Sequence, residues 1–365
     1  MEAIQACIRN ALDREPIGKR QLAGIIGDSP SRYSKSPALW NAAFRVLDVN
    51  AIYLPLDVEE SRLPELIQAL KRSDRVIGVN VTVPYKVKIM AYLDSLDEEA
   101  KKIGAVNTIA RTEDGRLVGY NTDGKGCLES ITRPQPGEER PLAKSLKGMD
   151  VLLIGAGGAA RAVAFTLAPA LANGKLLICN RTPGPARSLA EEIEKAGGHA
   201  RALKEDEVRN WAPRVNLIIN GSTKGQGGMR KSADGRVTGL EPYSALAPAS
   251  PATLPASEYG KPEFYRNWLS ASLADIEANN RASWSLALTI PLHVGFYDMI
   301  YFPAETVFLR HGRLSGHRTL NGQGMIVAQA AEAFFRCLCS GYLRKIGIHN
   351  QETYQLLSKV MHEAW

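Results

Sequence analysis

The segment Val151-Leu-Leu-Ile-Gly155-Ala156-Gly157-Gly158-Ala159-Ala160-Arg161 reads, in order, as a strand, a glycine turn and a helix start. That context is what a GxGxxG-type match needs before it signifies dinucleotide binding. Gly155 permits the tight turn, Gly157 lets backbone N–H groups approach a pyrophosphate, and Ala160 takes the small position where helix packs on strand. The helix N-terminus then faces the anion with its partial positive charge. Asn180-Arg181-Thr182 follows, with Asn180 lying 25 positions after Gly155. A carboxylate near this point selects NAD through the ribose 2′-hydroxyl, whereas an arginine accommodates a 2′-phosphate through parallel charge-assisted hydrogen bonds. The reading is NADP, with NAD still usable.

A second group of chemistry-bearing residues precedes that segment. Val79-Asn80-Val81-Thr82-Val83-Pro84-Tyr85-Lys86 alternates, so Asn80 and Thr82 share one face of a strand and the valines the other. Lys86 stands just past the strand end, where open α/β sheets bind ligands. Polar clusters recur at Asn107-Thr108 and at Asn121-Thr122-Asp123-Gly124. Lys86 and Asp123 are candidates for a proton-transfer pair serving a carbonyl oxygen. From spacing alone, a solvated lysine and a helix-capping aspartate are the commoner arrangement.

These residues need a scaffold of alternating strands and helices. In the first half, strands are expected at 21–27, 51–55 and 76–83, with helices at 37–47 and 63–71. A hairpin of 105–111 and 116–120 turns at Asp114-Gly115. From Asp150 onward, strands at 151–154, 175–179, 215–219 and 293–301 alternate with helices at 159–167 and 187–195, and 324–339 reads as one helix. The pattern is α/β with parallel sheets. Residues 225–291 break the rhythm with prolines, serines and alanines. They read as an insertion or long loop outside the central sheet, whose middle, 246–262, lacks apolar periodicity, so deletion of 247–256 is expected to leave a soluble protein.

Composition narrows the classes. At 365 residues the chain suggests two domains on a prior of ~150 residues each. Hydrophobic residues at 45% and charged residues at 23% match a soluble globular protein rather than a disordered or fibrous one. Lys plus Arg is 45 against 38 for Asp plus Glu, a net charge of +7, with no dense basic run to favour nucleic acid. Five cysteines without a CxxC pair, and six histidines without ligand spacing, argue against a disulfide framework and against a metal. No signal-type or membrane-spanning segment is evident, so the expectation is a cytoplasmic protein without membrane or nucleic-acid partners.

The ordered series Ser34-Lys35-Ser36-Pro37, Asn80-Val-Thr82-Val-Pro84-Tyr-Lys86, Gly104-Ala-Val-Asn107-Thr108 and Asn121-Thr-Asp123-Gly124 resembles shikimate dehydrogenases. So do Gly155-Ala-Gly157-Gly158-Ala159, Asn180-Arg181-Thr182, Tyr297-Asp-Met-Ile-Tyr301 and Gly324-Met-Ile-Val-Ala-Gln329. The resemblance implies a substrate domain of residues 1–125 completed by 324–365, a Rossmann-type NADP domain of 126–323 with an insertion at 225–291, and an active-site cleft between them. It implies reversible NADPH-dependent reduction of 3-dehydroshikimate to shikimate, a step of the shikimate pathway to aromatic amino acids, in a monomer or homodimer. By that likeness Ser34 and Ser36 receive the substrate carboxylate, while Asn80, Thr82, Asn107, Tyr301 and Gln329 line the ring and Lys86 with Asp123 transfers the proton. The cofactor residues would be Gly155, Ala156, Gly157, Gly158, Ala159, Asn180, Arg181, Thr182, Arg187 and Gly324.

Departures are specific. Pro185 stands where such enzymes usually carry a second arginine, with Arg187 displaced, and residues 1–20 are additional. A quinate or amino-shikimate dehydrogenase with the same machinery is the first rival. A non-catalytic nucleotide-binding regulator is the second, and the presence of both Lys86 and Asp123 speaks against it.

Overall fold

The computed structural model describes residues 1–13, 17–232 and 234–365. The chain forms two compact units, Met1–Cys127 with Gly324–Trp365, and Leu128–Gln323.

The first unit is built on a six-stranded mixed sheet. Its strands are β1 (Gln21–Gly27), β2 (Ala51–Asp57), β3 (Val76–Val81), β4 (Ser95–Leu96), β5 (Thr108–Arg111) and β6 (Leu117–Tyr120), in the order β2-β1-β3-β5-β6-β4. β1 pairs parallel with β2 and β3, and the β5–β6 hairpin adds to β3 antiparallel. One face carries helix Leu63–Arg72 over Leu22, Ile26, Leu56, Val79 and Val81. The other carries helices Ser36–Val46 and Gln351–Glu363 around Trp40, Phe44, Tyr53 and Phe334. Trp40 stacks on Tyr53 with centroids 5.0 Å apart and meets the Phe334 ring at 5.4 Å.

A bulge in β3 decides which side chains reach which face. Leu22 pairs with Val76 but Ala23 with Gly78, so one extra residue enters β3. Gly78 sits at φ +155, and a Cβ there would lie 2.4 Å from the Ile109 carbonyl oxygen. Beyond the bulge, Val79 and Val81 enter the Leu63–Arg72 face and Asn80 points the opposite way. β3 ends at Val81, and Val83, expected inside the strand, is 61% exposed in the turn that follows.

The second unit holds six parallel strands: β7 (Val151–Ile154), β8 (Leu176–Cys179), β9 (Ala200–Leu203), β10 (Leu217–Asn220), β13 (Gly295–Asp298) and β14 (Thr319–Leu320). Their order, β14-β13-β10-β7-β8-β9, is the doubly wound dinucleotide-binding arrangement, with its switch point between β7 and β10. The helix after β7, Gly158–Leu171, runs longer than expected, and that after β8, Pro183–Lys195, begins one turn before the expected residue 187. Pro183 occupies its first turn, where a missing N–H costs nothing.

Residues 225–291 are not a loop. They form a separate hairpin of β11 (Met229–Lys231) and β12 (Val237–Gly239), and then a 24-residue helix, Phe264–Ala287. Its buried positions are Phe264, Trp268, Ser272, Asn279, Ser283 and Ala287, a stripe at helical spacing that is half polar. Asn279 explains the polarity. It receives the Ser244 N–H at 2.8 Å and donates to the Ser244, Ala247 and Pro248 carbonyls at 3.1, 3.0 and 2.9 Å. Leu246, Ala247 and Ala249 are buried, so the stretch expected to be dispensable is held by backbone hydrogen bonds into this helix.

The C-terminal run is likewise not one helix. Helix Gln323–Glu332 passes into a π-helical stretch, Ala333–Leu338, before helix Ser340–Lys345. Among the described residues no helix is long and apolar enough to cross a membrane, and no cluster of His, Cys, Asp or Glu is arranged to hold a metal ion.

Candidate active site

A continuous hydrogen-bonded chain of side chains runs through the first unit, from Tyr53 to Lys86. It starts at the buried Tyr53 phenol on β2. Tyr53 donates to Asn80 Oδ1 at 2.7 Å, and Asn80 Nδ2 donates to Thr108 Oγ1 at 3.0 Å. Thr108 donates to Asn107 Oδ1 at 2.9 Å, which also receives the Thr122 N–H at 2.9 Å. Asn107 Nδ2 donates to Asp123 Oδ1 at 2.8 Å, and Asp123 Oδ2 receives Lys86 Nζ at 2.5 Å. Gln329 joins from helix Gln323–Glu332, its Oε1 at 3.3 Å from Asn107 Nδ2 and its carbonyl receiving the Thr122 hydroxyl at 3.0 Å. Asn80, Asn107, Thr108, Thr122, Asp123 and Gln329 are all buried, so each unpaired partner would cost about 1–3 kcal/mol.

Each residue arrives there for a local reason. Asn107 precedes β5, and Asn121 turns the chain after β6, donating to the Ala105 carbonyl and receiving the Asp123 N–H at 3.0 Å. That turn places Asp123 at the first position of helix Asp123–Thr132, where the helix dipole favours its negative charge. Tyr85 anchors the segment bearing Lys86. Its ring is buried, its hydroxyl donates to the Val58 carbonyl at 2.7 Å, and burial pushes its pKa up to about 12. Gly126 lets two helices meet: a Cβ there would lie 2.8 Å from Gln329 Cβ and from the Met325 carbonyl oxygen.

The Lys86–Asp123 pair is the chemically distinctive part. Asp123 is 5% exposed and held by a second donor, so its carboxylate is fixed. Lys86 is 17% exposed and uses one of its three hydrogens on Asp123, leaving two for a ligand. Such a geometry can deliver a proton to, or take one from, an oxygen on a bound molecule.

Of the other expected substrate residues, Ser34 ends the short helix Pro30–Tyr33, and its Oγ receives the Ser36 N–H at 3.2 Å. Thr82 is half-buried just past β3, and among the described residues its hydroxyl takes no part in the chain of hydrogen bonds. Tyr301 belongs to the second unit, three residues after β13, with its phenol pKa raised by burial. Gly324 is buried on the first unit's helix Gln323–Glu332. Tyr53 was missed: a tyrosine in an apolar strand reads as core, and only the fold shows that its hydroxyl donates to Asn80.

In the second unit the glycine turn lies at the switch point. Gly155 has φ +123, and a Cβ on it would sit 2.6 Å from the Gly221 carbonyl, so the turns after β7 and β10 touch here. A Cβ on Gly157 would meet nothing within 4 Å, which leaves open space before helix Gly158–Leu171. Gly157 is the N-cap and supplies no side-chain cap, so the first-turn N–H groups face that space. This cradle fits a pyrophosphate. Arg181, Thr182 and Arg187 are exposed and Asn180 half-buried at the end of β8, and among the described residues neither arginine is engaged in an ion pair. The residues present therefore fit a phosphorylated dinucleotide.

The second unit also holds a buried carboxyl that the sequence reading passed over. Asp298 ends β13 and is wholly buried. It receives Thr306 Oγ1 at 2.6 Å, the Ile300 N–H at 2.9 Å and Asn220 Nδ2 at 3.0 Å. Burial, opposed by these three donors, pushes its pKa up from 3.8 to about 7. Its partners tie the ends of β10 and β13 together.

Comparison with known proteins bears on most of the chain. Residues 25–109 match the shikimate dehydrogenase substrate binding domain. The shikimate dehydrogenase (NADP(+)) of Carboxydothermus hydrogenoformans is 36% identical over 318 residues, spanning 87% of this chain and 91% of that one. The Thermus thermophilus shikimate 5-dehydrogenase, solved with NADP(H) and shikimate, superposes with a TM-score of 0.64 at 27% identity, covering 94% of this chain and 100% of that chain. A quinate dehydrogenase from Corynebacterium glutamicum, at 21% identity and a TM-score of 0.66 over 94% and 99% of the two chains, shares the fold. With relatives this similar over most of both lengths, the chain belongs to the shikimate dehydrogenase family.

Proposed function

We propose that this chain is a shikimate dehydrogenase, catalysing the reversible NADPH-dependent reduction of 3-dehydroshikimate to shikimate. The observation that carries the reading is the Lys86–Asp123 pair at 2.5 Å, set at the end of a chain of short amides and hydroxyls. A polyhydroxylated ring needs such donors and acceptors in fixed positions. Lys86 donates the proton to the carbonyl oxygen in reduction and takes it back in oxidation; Asp123 holds the ammonium in place and stabilises its charge. Asn80, Thr82, Asn107, Tyr301 and Gln329 bind the ring, and the hydroxyls of Ser34 and Ser36 receive the carboxylate.

When bound, NADPH supplies the hydride, which the protein need only align. Gly155, Ala156, Gly157, Gly158 and Ala159 would cradle its pyrophosphate. Asn180, Arg181, Thr182 and Arg187 would take the 2′-phosphate end, with Gly324 closing the set. On this reading residues 1–125 with 324–365 serve the substrate and 126–323 serve the cofactor, in a cytoplasmic monomer or homodimer of the shikimate pathway that binds neither nucleic acid nor membrane. The test is a panel of initial rates with shikimate and quinate, each with NADP and NAD, followed at nicotinamide absorbance. Shikimate with NADP should give the highest kcat/KM. Quinate turnover equal to or above that of shikimate would overturn the assignment, because its extra tertiary hydroxyl should cost about 1–3 kcal/mol, or about 5–150-fold.

A further inference from the structure

The residues before β1 reach the segment that carries Ser34 and Ser36, through Asp57. Arg9 and Asn10 lie along the free edge of β2. The Arg9 N–H donates to the Asp57 carbonyl at 2.8 Å. Asn10 Oδ1 receives the Asp57 N–H at 2.8 Å, and Asn10 Nδ2 donates to the Pro55 carbonyl at 2.9 Å. Both backbone groups of Asp57 are thereby held from the edge side, and Ile4, Cys7 and Ile8 bury against the same sheet face.

The Asp57 side chain points to the next element. It is buried, and its two carboxylate oxygens receive the N–H, at 2.9 Å, and the hydroxyl of Ser31. Ser31 lies in the first turn of helix Pro30–Tyr33, whose N-cap Ser29 makes no side-chain cap. Asp57 therefore does, from a neighbouring strand, what a cap residue does within a helix. The helix ends at Ser34, whose N–H closes on the Pro30 carbonyl at 3.0 Å, and Ser34 Oγ then receives the Ser36 N–H. Arg9 adds a second tie, its guanidinium donating to Asp28 Oδ1 at 2.9 Å and Ser29 Oγ at 3.2 Å. The ordered path is Arg9 and Asn10 to Asp57, to Ser31, to Ser34 and Ser36.

We infer that Asp57, seated on Arg9 and Asn10, is a positioning residue for the carboxylate-binding serines. This rests on the reading of Ser34 and Ser36 as substrate residues. Asp57 touches neither substrate nor cofactor; it fixes the angle at which the short helix delivers the two hydroxyls. Loss of the cap should loosen substrate binding and leave the cofactor and the proton-transfer pair as they were.

The experiment compares Asp57→Ala, Asp57→Asn, Ser31→Ala and Ser34→Ala in the full chain, measuring kcat and the KM for shikimate and for NADP separately. Ser34→Ala should raise the shikimate KM about tenfold by removing one hydroxyl contact to a charge. Asp57→Ala should raise it by a similar factor, with kcat and the NADP KM within about threefold, since only the carboxylate end is disturbed. Asp57→Asn keeps an acceptor for the Ser31 N–H and should restore much of the affinity. Ser31→Ala, an exposed residue that leaves the fold intact, should raise the shikimate KM about threefold by losing one hydroxyl bond. Normal shikimate KM in both Asp57→Ala and Ser31→Ala, beside a raised value in Ser34→Ala, would overturn the positioning role alone. Parallel rises in both KM values with a lowered melting temperature would reduce Asp57 to a fold residue and overturn it equally. An unchanged shikimate KM in Ser34→Ala would overturn the carboxylate reading itself, and this inference with it.

Discussion

Replacing Asp298 by asparagine should change how stability depends on pH, in a direction the geometry dictates. The carboxyl is wholly buried, and its pKa is pushed up from 3.8 to about 7. A carboxyl raised in the folded state binds its proton more tightly there than in the unfolded chain. Its contribution is therefore intact below about pH 4, lost progressively between about pH 4 and pH 7, and level above that. Asparagine does not titrate, yet it can keep every contact. Its Oδ1 would still receive the Ile300 N–H and Asn220 Nδ2, and its Nδ2 would donate to Thr306 Oγ1. Between pH 5 and pH 8 the wild-type carboxyl passes through about two pH units of this loss, at about 1.4 kcal/mol each. Asp298→Asn should accordingly gain about 3 kcal/mol on the wild type over that interval. Urea denaturation of both proteins at pH 5 and pH 8 measures the gain, and taking the difference cancels every group that the two share. A wild-type-to-variant difference constant within about 0.5 kcal/mol across the two pH values would show that Asp298 is ionised throughout and refute the reasoning.

Two further outcomes follow from single contacts. Arg181→Ala should weaken NADP by one to two decades, about 1.5–3 kcal/mol for a charge-assisted phosphate contact, and leave NAD unchanged. Because Pro185 supplies no second cation, the starting preference for NADP should itself be modest, and equal losses with both cofactors would reduce Arg181 to a fold residue. Gly126→Ala would place a methyl 2.8 Å from Gln329 and the Met325 carbonyl, an overpacking of about 1–3 kcal/mol that exceeds the helix-propensity gain of about 1 kcal/mol. Chemical denaturation should show a net loss, and a more stable variant would mean that the two helices separate freely.

The architecture was legible wherever burial is apolar on both faces. Gln21–Gly27 and Val151–Ile154 are continuous apolar runs, and both strands occur with the expected bounds. Helix Phe264–Ala287 was not legible, because its buried stripe includes Ser272, Asn279 and Ser283, of which the first two receive backbone N–H groups of Ala252 and Ser244 and the third donates to the Ser244 hydroxyl. No periodicity rule scores an asparagine as core. The C-terminal run hid its π-helical stretch for a related reason, since Ala333–Leu338 has the composition of an ordinary helix. The polar ends of strands announced Asn80, Asn107 and Asp123 through their types and order. Tyr53, Asp57 and Asp298 stayed silent, being a ring inside an apolar strand and two carboxylates at strand ends. Their roles depend on which elements pack beside them, and that is a property of the topology.

The central claim is that Lys86 and Asp123 transfer the proton as one unit, and the kcat for shikimate oxidation with NADP tests it in Lys86→Ala, Asp123→Asn and the double variant. Lys86→Ala should lower kcat by about 10²–10⁴-fold, the range of a lost acid–base group, in a protein that stays folded. Asp123→Asn should act similarly, and the double variant should be little worse than either single one, because groups that act as a unit do not add. Near-normal turnover in Lys86→Ala would contradict the account.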